Sequence, residues 1–320
     1  MGSQPWAFLS GKQIPLEEAK VGIMTHALHY GTAVFEGIRG NWNDDSRKMV
    51  VFRLKEHYER LIRGCNILKI FPPKDLQIKD EINTFSVDDY IEITISLLKK
   101  CGYLQDVYIR PLAFKSEELV ANLKLHELSS NFSLIIIPFG GYIDNDKAIN
   151  CQTSSWRRPN DSMMPTGVKL SGLYTNSILA KTEAILGGYD EAILLNDEGT
   201  VSEGSGENLF MISGGEIITP AETDNCLLGI TRDSVIQIAR RELGIEVKKR
   251  KIQRSELYLA DEIFLTGTAA HITSVGNLDN RKIGDGNKGE ITQKLQKIYF
   301  DVVTGKREDY FDWCTQVEIN

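Results

Sequence analysis

A chain of 320 residues with 42% hydrophobic and 25% charged side chains has an ordinary globular make-up. It exceeds what one core usually serves, so two domains are expected. A net charge of -7 and a pI near 5.4 exclude a nucleic-acid binder, which needs clustered Lys and Arg to neutralise phosphates.

In chain order, "WAFLSGKQIP" predicts a hairpin around Gly11 and "MVVFRL" a strand. From Glu56, Tyr58, Leu61, Ile62, Cys65 and Leu68 recur at helical spacing until "FPP" ends the helix. "SVDDYIEITISLLKKCGY" predicts a second helix, capped by Ser86 and stopped at Gly102, followed by the strand "DVYIRPLAF". "LIIIPFGGYI" (134–143) reads as a buried strand and its exit, too short to cross a bilayer. A linker is expected at 138–150, between a first domain over 1–137 and a second over 151–320.

In the second domain "TNSILAKTEAILGG" reads as a helix capped at Thr175 or Asn176. The short strands "AILLN", "VSEG", "ENLFMI" and "EIITP" follow, with turns at "DEG" and "SGGE". The helix "TRDSVIQIARRELG", the strands "IEVKKRKI" and "EIFLTGT" and a helix near "ITQKLQKIYFDVVTG" complete the chain. Its N-terminus offers no basic region followed by an apolar stretch, so no export is expected. Five cysteines without a CxxC pair predict reduced thiols and a cytoplasmic protein.

Between Asp161 and Lys181 the only charged side chain is Lys169. It is either a snorkelling surface residue or a desolvated amine, whose neutral form attacks carbonyls to give a Schiff base. "SEGSGENLF" (202–210) puts Glu203 and Glu207 in a glycine-rich bend, either an acidic solvated tip or a place where a ligand approaches the backbone closely. "LLGITRDSVIQ" (227–237) and "LTGTAA" (265–270) are ordinary caps and turns, or else amides and hydroxyls arranged for a phosphate. An amine, a carboxylate and phosphate loops together are what pyridoxal 5′-phosphate requires. His26 and His29 have i, i+3 spacing, but no third ligand lies nearby, so structural roles and no metal are expected.

Taken in order, "HALHYGTAVFEGIRG", "EHYERL", "VYIRPLAF", "SSWRRP", "VKLSGLY", "LAKTEA", "VSEGSGENLF", "GITRDS", "LTGTAA" and "YFDVVTG" resemble the branched-chain-amino-acid aminotransferases, class IV enzymes of pyridoxal-phosphate fold type IV. The resemblance implies an α/β (α+β) fold with a smaller N-terminal domain and a larger pseudo-barrel domain. The expected unit is a homodimer or higher homo-oligomer without nucleic-acid or membrane partners. It further implies Lys169 as the Schiff-base lysine, Tyr174 on the cofactor's phenolic oxygen, Glu203 on the pyridine nitrogen and Leu227 against the ring. Arg60, Ile230, Thr231 and Thr268 would take the phosphate.

For the substrate it implies an apolar wall of Tyr30, Phe35, Gly37, Phe139, Tyr142 and Tyr174, with Tyr108 and Arg110 as polar readers. The turn Thr268–Ala269–Ala270 would receive the α-carboxylate. The lesser alternative for Arg110 is half of a partly buried salt bridge, and Glu36 with Arg39 reads as a local ion pair or network without chemistry. The implied reaction is ping-pong transfer of the amino group of Leu, Ile or Val to 2-oxoglutarate. Val168 and Leu173 depart from the family's usual residues, and Phe139 stands where some relatives have Trp. These departures keep open a transaminase for another amino acid. A D-amino-acid aminotransferase, an aminodeoxychorismate lyase and a binding protein without activity are further readings, the first disfavoured because "YIRPL" lacks an Arg-x-His pair.

Overall fold

Ser10 and Gly11, both at positive φ (53° and 80°), close a two-residue turn between β1 (Trp6–Leu9) and β2 (Lys12–Pro15). Such a turn matches the twist of the strands it joins. The computed structural model describes residues 5–74, 84–140 and 147–319. They divide into one unit of Met1–Gly140, Val168–Gly172 and Val302–Asn320 and another of Gly141–Gly167 and Leu173–Asp301.

The first unit contains α1 (His26–Tyr30), β3 (Ala33–Phe35), β4 (Ile38–Asn43), β5 (Lys48–Phe52), α2 (Leu54–Ile67), α3 (Val87–Cys101), β6 (Val107–Lys115) and β7 (Ser130–Pro138). Among the described residues its strands form one antiparallel sheet. The order is C-terminal strand Cys314–Glu318, β5, β4, β6, β7, β1, β2, with β3 beside β6. α2 buries Leu54, Tyr58, Leu61 and Cys65 at helical spacing, as the pattern predicts. α3 opens on a capping box in which Ser86 Oγ accepts from the Asp89 amide while Asp89 accepts from the Ser86 amide, and it ends on Gly102 at φ 65°. Tyr58 stacks on Tyr90 at 5.1 Å and Tyr90 leans on Phe132 at 4.6 Å, so both helices are keyed to the sheet through aromatic faces.

The second unit contains β8 (Ile149–Arg157), α4 (Tyr174–Leu186), β9 (Glu191–Leu195), β10 (Val201–Gly204), β11 (Asn208–Ser213), β12 (Glu216–Thr219), α5 (Ile230–Leu243), β13 (Lys248–Lys249), α6 (Arg254–Leu257), β14 (Glu262–Gly267), β15 (His271–Leu278) and β16 (Arg281–Lys282). α7 (Glu290–Val303) follows, its last two residues grouping with the first unit. Among the described residues the strand order is β10, β9, β8, β15, β14, β11, β12, β13, with β16 beside β15. β8 runs parallel to both β9 and β15, and α4 supplies the crossover that parallel neighbours need. Its Ala180 and Ala184 pack on Ala192 and Leu194.

Two local expectations change. α4 starts at Tyr174 behind Leu173 with no side-chain cap, because Asn176 turns its amide to the Arg157 carbonyl instead (3.0 Å). Of "IEVKKRKI" only Lys248 and Lys249 pair, at the sheet edge, where exposed lysines discourage further strand addition. No helix among the described residues is long and apolar enough to cross a membrane.

Candidate active site

Lys169 belongs to a short segment laid beside β3. The Phe35 amide donates to the Lys169 carbonyl (3.1 Å), and the Ser171 amide donates to the Ala33 carbonyl (2.9 Å). Val34 and Leu170 face each other as bridge partners. Val168 and Leu170 are buried while Lys169 between them is half-buried, the alternation of an extended chain. The ammonium nitrogen of Lys169 stands 5.1 Å from the centroid of the Phe35 ring. Gly31 and Gly172 let the neighbouring backbones touch, since a Cβ at Gly31 would lie 2.9 Å from the Gly172 Cα.

Glu36 follows β3 directly and is fully buried. Arg60 grips it with Nε to Oε1 at 2.6 Å and Nη2 to Oε2 at 2.7 Å, and His57 Nδ1 lies 2.8 Å from Oε2. Burial alone would raise the Glu36 carboxyl, but the charges and hydrogen bonds of Arg60 and His57 win and hold it well below the usual carboxylate range. Burial, only partly opposed by Glu36, pushes the His57 imidazole below its ordinary value. His57 is therefore neutral, its proton on Nδ1, donating to the carboxylate. The expected pairing of Glu36 with Arg39 does not form. Arg39 turns to Asp106 (3.3 Å) and the Gly140 carbonyl (3.1 Å), because successive residues around β4 face opposite sides of the sheet.

Arg110 lies over the rings of Phe35 (4.7 Å) and Tyr108 (5.1 Å) and donates to the Tyr108 hydroxyl at 3.1 Å. Its buried Nε has no hydrogen-bond partner among the described residues, and aromatic faces take the place of the salt bridge that was the alternative. Phe139 packs on Tyr108 at 4.9 Å. A Cβ at Gly37 would sit 2.0 Å from the Tyr108 hydroxyl, so a side chain here would have to displace the Tyr108 ring. Phe35, Gly37, Tyr108, Arg110, Phe139 and Lys169 thus fall together. Tyr30 keeps other company: it is exposed, leans on His26 (4.5 Å) and accepts the Ala121 amide (2.9 Å). Tyr142 lies outside the described residues. Both ring nitrogens of His26 are engaged, by Thr32 Oγ1 and the Asn122 carbonyl at 2.8 Å each. No cluster placed to hold a metal occurs among the described residues.

In the second unit Glu203 is buried at the end of β10. Its Oε1 meets Arg158 at 2.8 Å, and its Oε2 accepts from the Leu227 amide (3.0 Å) and Asn208 Nδ2 (3.2 Å). Asn208 also donates to the Leu227 carbonyl at 2.8 Å, which pins Leu227 on both sides. The bend that carries Glu203 and Glu207 is no solvated tip, since both carboxyls are buried. Gly229 precedes α5, where a Cβ would come within 2.0 Å of Asn208 Oδ1. Ile230 and Thr231 are buried in the first turn, whose amides have no acceptor within the helix. Thr268, Ala269 and Ala270 form the tight turn from β14 to β15. Tyr174 heads α4.

Arg158, Asn208, Glu36 and His57 all lie in the stretches that carry the resemblance, yet sequence reasoning assigned none of them to the site. Burial separates Arg158 from the exposed Arg157 beside it; alternation from the buried Ile149 and Cys151 points to Arg157 instead, because the pairing of β8 with β9 shifts register between Thr153 and Arg157.

The amino-transferase class IV family model matches residues 33–278. The chain belongs to the class IV aminotransferases. It is 47% identical over 98% of its length, and 97% of the other chain's, to a probable branched-chain-amino-acid aminotransferase of Aquifex aeolicus. Among solved structures, a branched-chain aminotransferase of Thermoproteus uzoniensis with norvaline matches at TM-score 0.90 and 40% identity, covering 98% of this chain and 99% of that one. The branched-chain amino acid aminotransferase of Thermobaculum terrenum, in its holo form with pyridoxal phosphate, matches at TM-score 0.87 and 37% identity, covering 99% of each chain. The residues of this class IV aminotransferase suit that cofactor. Glu203 is a buried carboxylate bonded by Arg158, Asn208 and the Leu227 amide, α5 begins at Gly229 without a side-chain cap, and Lys169 supplies an amine beside an aromatic face.

Proposed function

We propose that this class IV aminotransferase uses pyridoxal 5′-phosphate to move the amino group of leucine, isoleucine or valine to 2-oxoglutarate in a ping-pong cycle. The observation that carries the reading is Glu203, a carboxylate buried with Arg158, Asn208 and the Leu227 amide about it, as a ring-nitrogen proton requires. Bound pyridoxal phosphate supplies the carbonyl that accepts the amino group and a sink for the electrons left when the substrate Cα loses its proton.

The chain's own groups do the rest. Glu203 holds the proton on the ring nitrogen, and Tyr174 donates to the phenolic oxygen. Arg60, Thr268 and the amides of Ile230 and Thr231 hold the phosphate. Lys169, as its free amine, would take up on Nζ the proton that the substrate Cα loses. Phe35 and Phe139 give a branched side chain an apolar wall, Tyr108 and Arg110 receive the second carboxylate of glutamate, and the 268–270 turn receives the α-carboxylate. Titration of the cofactor-loaded protein with L-leucine, without any 2-oxo acid, is expected to bleach the visible band and release the leucine-derived oxo acid. A band that leucine leaves unchanged and glutamate bleaches would mean another amino donor. Lys169→Ala should abolish turnover, and near-normal turnover would overturn the assignment.

We further propose a cytoplasmic homodimer. Five free cysteines suit a reducing compartment. Thr25 bridges Glu118, and His26 meets the Asn122 carbonyl, which joins α1 and its approach to the 118–123 loop in one surface. That surface exposes Ile23, Met24, Leu28, Leu119 and Leu123, with Ile23 at 75% and Leu123 at 76%, a grouping of apolar side chains of the kind that marks protein–protein contact sites. Light scattering after chromatography is expected to give twice the chain mass and to show Ile23→Glu/Leu123→Glu shifted toward the monomer. A wild-type monomer at micromolar concentration would refute this.

A further inference from the structure

Glu36, His57 and Arg60 form a fully buried group to which the chemistry above gives only one role, that of Arg60. We propose that Glu36 is a positioning residue for the cofactor's phosphate. It fixes the Arg60 guanidinium, and His57 in turn fixes Glu36. This rests on the reading of Arg60 as a phosphate ligand.

Three observations carry it. The Nε–Nη2 edge of Arg60 is spent on the two oxygens of Glu36 at 2.6 and 2.7 Å, and because a guanidinium is planar and rigid, that grip also sets the direction of its other edge. Glu36 itself is anchored through the backbone on both sides. Its amide donates to the Pro111 carbonyl (3.0 Å), and the preceding Phe35 amide donates to the Lys169 carbonyl (3.1 Å). The arginine that meets phosphate and the segment that bears the amine are thus held to one another through two adjacent residues, Glu36 and Phe35. The third observation is charge. One carboxylate, one guanidinium and a neutral imidazole sum to zero, so the group offers oriented N–H donors rather than excess positive charge. The neutral His57 donates a single hydrogen bond from Nδ1 to Oε2 (2.8 Å), filling a remaining carboxylate site without competing for Arg60.

If the group merely held α2 to β3, its loss would weaken every ligand alike. A phosphate-positioning role weakens only ligands that carry phosphate. The test is titration of the apoprotein with pyridoxal 5′-phosphate and separately with pyridoxal, followed by visible absorbance. Arg60→Ala should erase the preference for the phosphorylated form. Glu36→Gln should lower affinity for pyridoxal phosphate about 10-fold and leave pyridoxal within about threefold, as for other residues that orient a ligand-bearing side chain. His57→Leu should move the same ratio in the same direction, and His57→Asn, whose amide can replace the Nδ1 donor, should restore it. Should Glu36→Gln not fold, the two His57 variants make the same comparison. Equal weakening of both ligands, or of neither, with Arg60→Ala selective as expected, would overturn the role of Glu36 alone. An Arg60→Ala variant that keeps the wild-type preference would overturn the phosphate reading beneath it.

Discussion

Replacement of Glu203 by glutamine keeps the shape of the side chain and removes its charge. The carboxylate is 4% exposed and meets three donors, Arg158 at 2.8 Å, the Leu227 amide at 3.0 Å and Asn208 at 3.2 Å. A glutamine has one oxygen for them, so its NH2 must face either Arg158 or the Leu227–Asn208 pair, donor against donor. Leaving one member of a buried ion pair without its partner costs about 3–5 kcal/mol, and the retained oxygen places this case near the lower end. At about 2–4 °C per kcal/mol for a domain of this size, Tm should fall by roughly 6–12 °C. Loss of a fixed charge aimed at the reacting system should lower kcat by about 10²–10³-fold with a smaller change in KM. Adding Arg158→Met removes the stranded cation and should recover much of the stability but none of the kcat. Calorimetry, cofactor content and steady-state kinetics on both variants check this. Wild-type kcat in a fully loaded Glu203→Gln variant would refute the placement of the ring-nitrogen proton on this carboxylate.

Gly64→Ala should destabilise the first unit by about 1–3 kcal/mol, because the new Cβ would meet Val34 Cγ1 at 2.6 Å. Val34→Ala should relieve the clash in thermal melts, and additive losses would refute the contact. Burial, with the charge of Glu191 adding to it and Lys181 opposing, raises the Glu207 carboxyl from 4.5 to about 8. The folded chain therefore keeps a proton that the unfolded chain releases, so this group's contribution to stability falls as pH rises from about 5 to about 8 and levels off above. Glu207→Gln should flatten that part of the Tm–pH profile, and parallel profiles would refute the assignment.

Local rules made part of this molecule legible. Ser86 and Gly102 bound α3, Gly11 closes a hairpin, and the apolar spacing of α2 names its buried face, because each of these is decided by backbone geometry within a few residues. β4 was not legible. Its Arg39, Asn41 and Asn43 are buried, which reads as an unburied strand until Asp106 and the carbonyls of Val303 and Thr304 arrive from distant parts of the chain. The same holds for the candidate site. Resemblance names Lys169, Glu203 and Arg60, but nothing near them in sequence says that Glu36 seeks Arg60 rather than Arg39, or that Arg158 and not Arg157 turns inward to Glu203.

The departures at Val168 and Leu173 take on a different meaning once their burial is known. In sequence they flank Lys169 and Tyr174 closely enough to suggest an altered substrate pocket. Both side chains are buried, at 7% and 3% exposure, and a Cβ at Gly64 would lie 3.6 Å from Val168 Cβ. Val168 therefore packs toward α2, on the side of the extended segment opposite to Lys169. A branched residue there stiffens the lysine segment against the helix that bears Arg60, while the groups assigned to the substrate, Phe35, Tyr108, Arg110 and Phe139, contact one another in series. The departure at Val168 argues for a repacked support beneath the amine, and it leaves the branched-chain reading of the substrate wall intact.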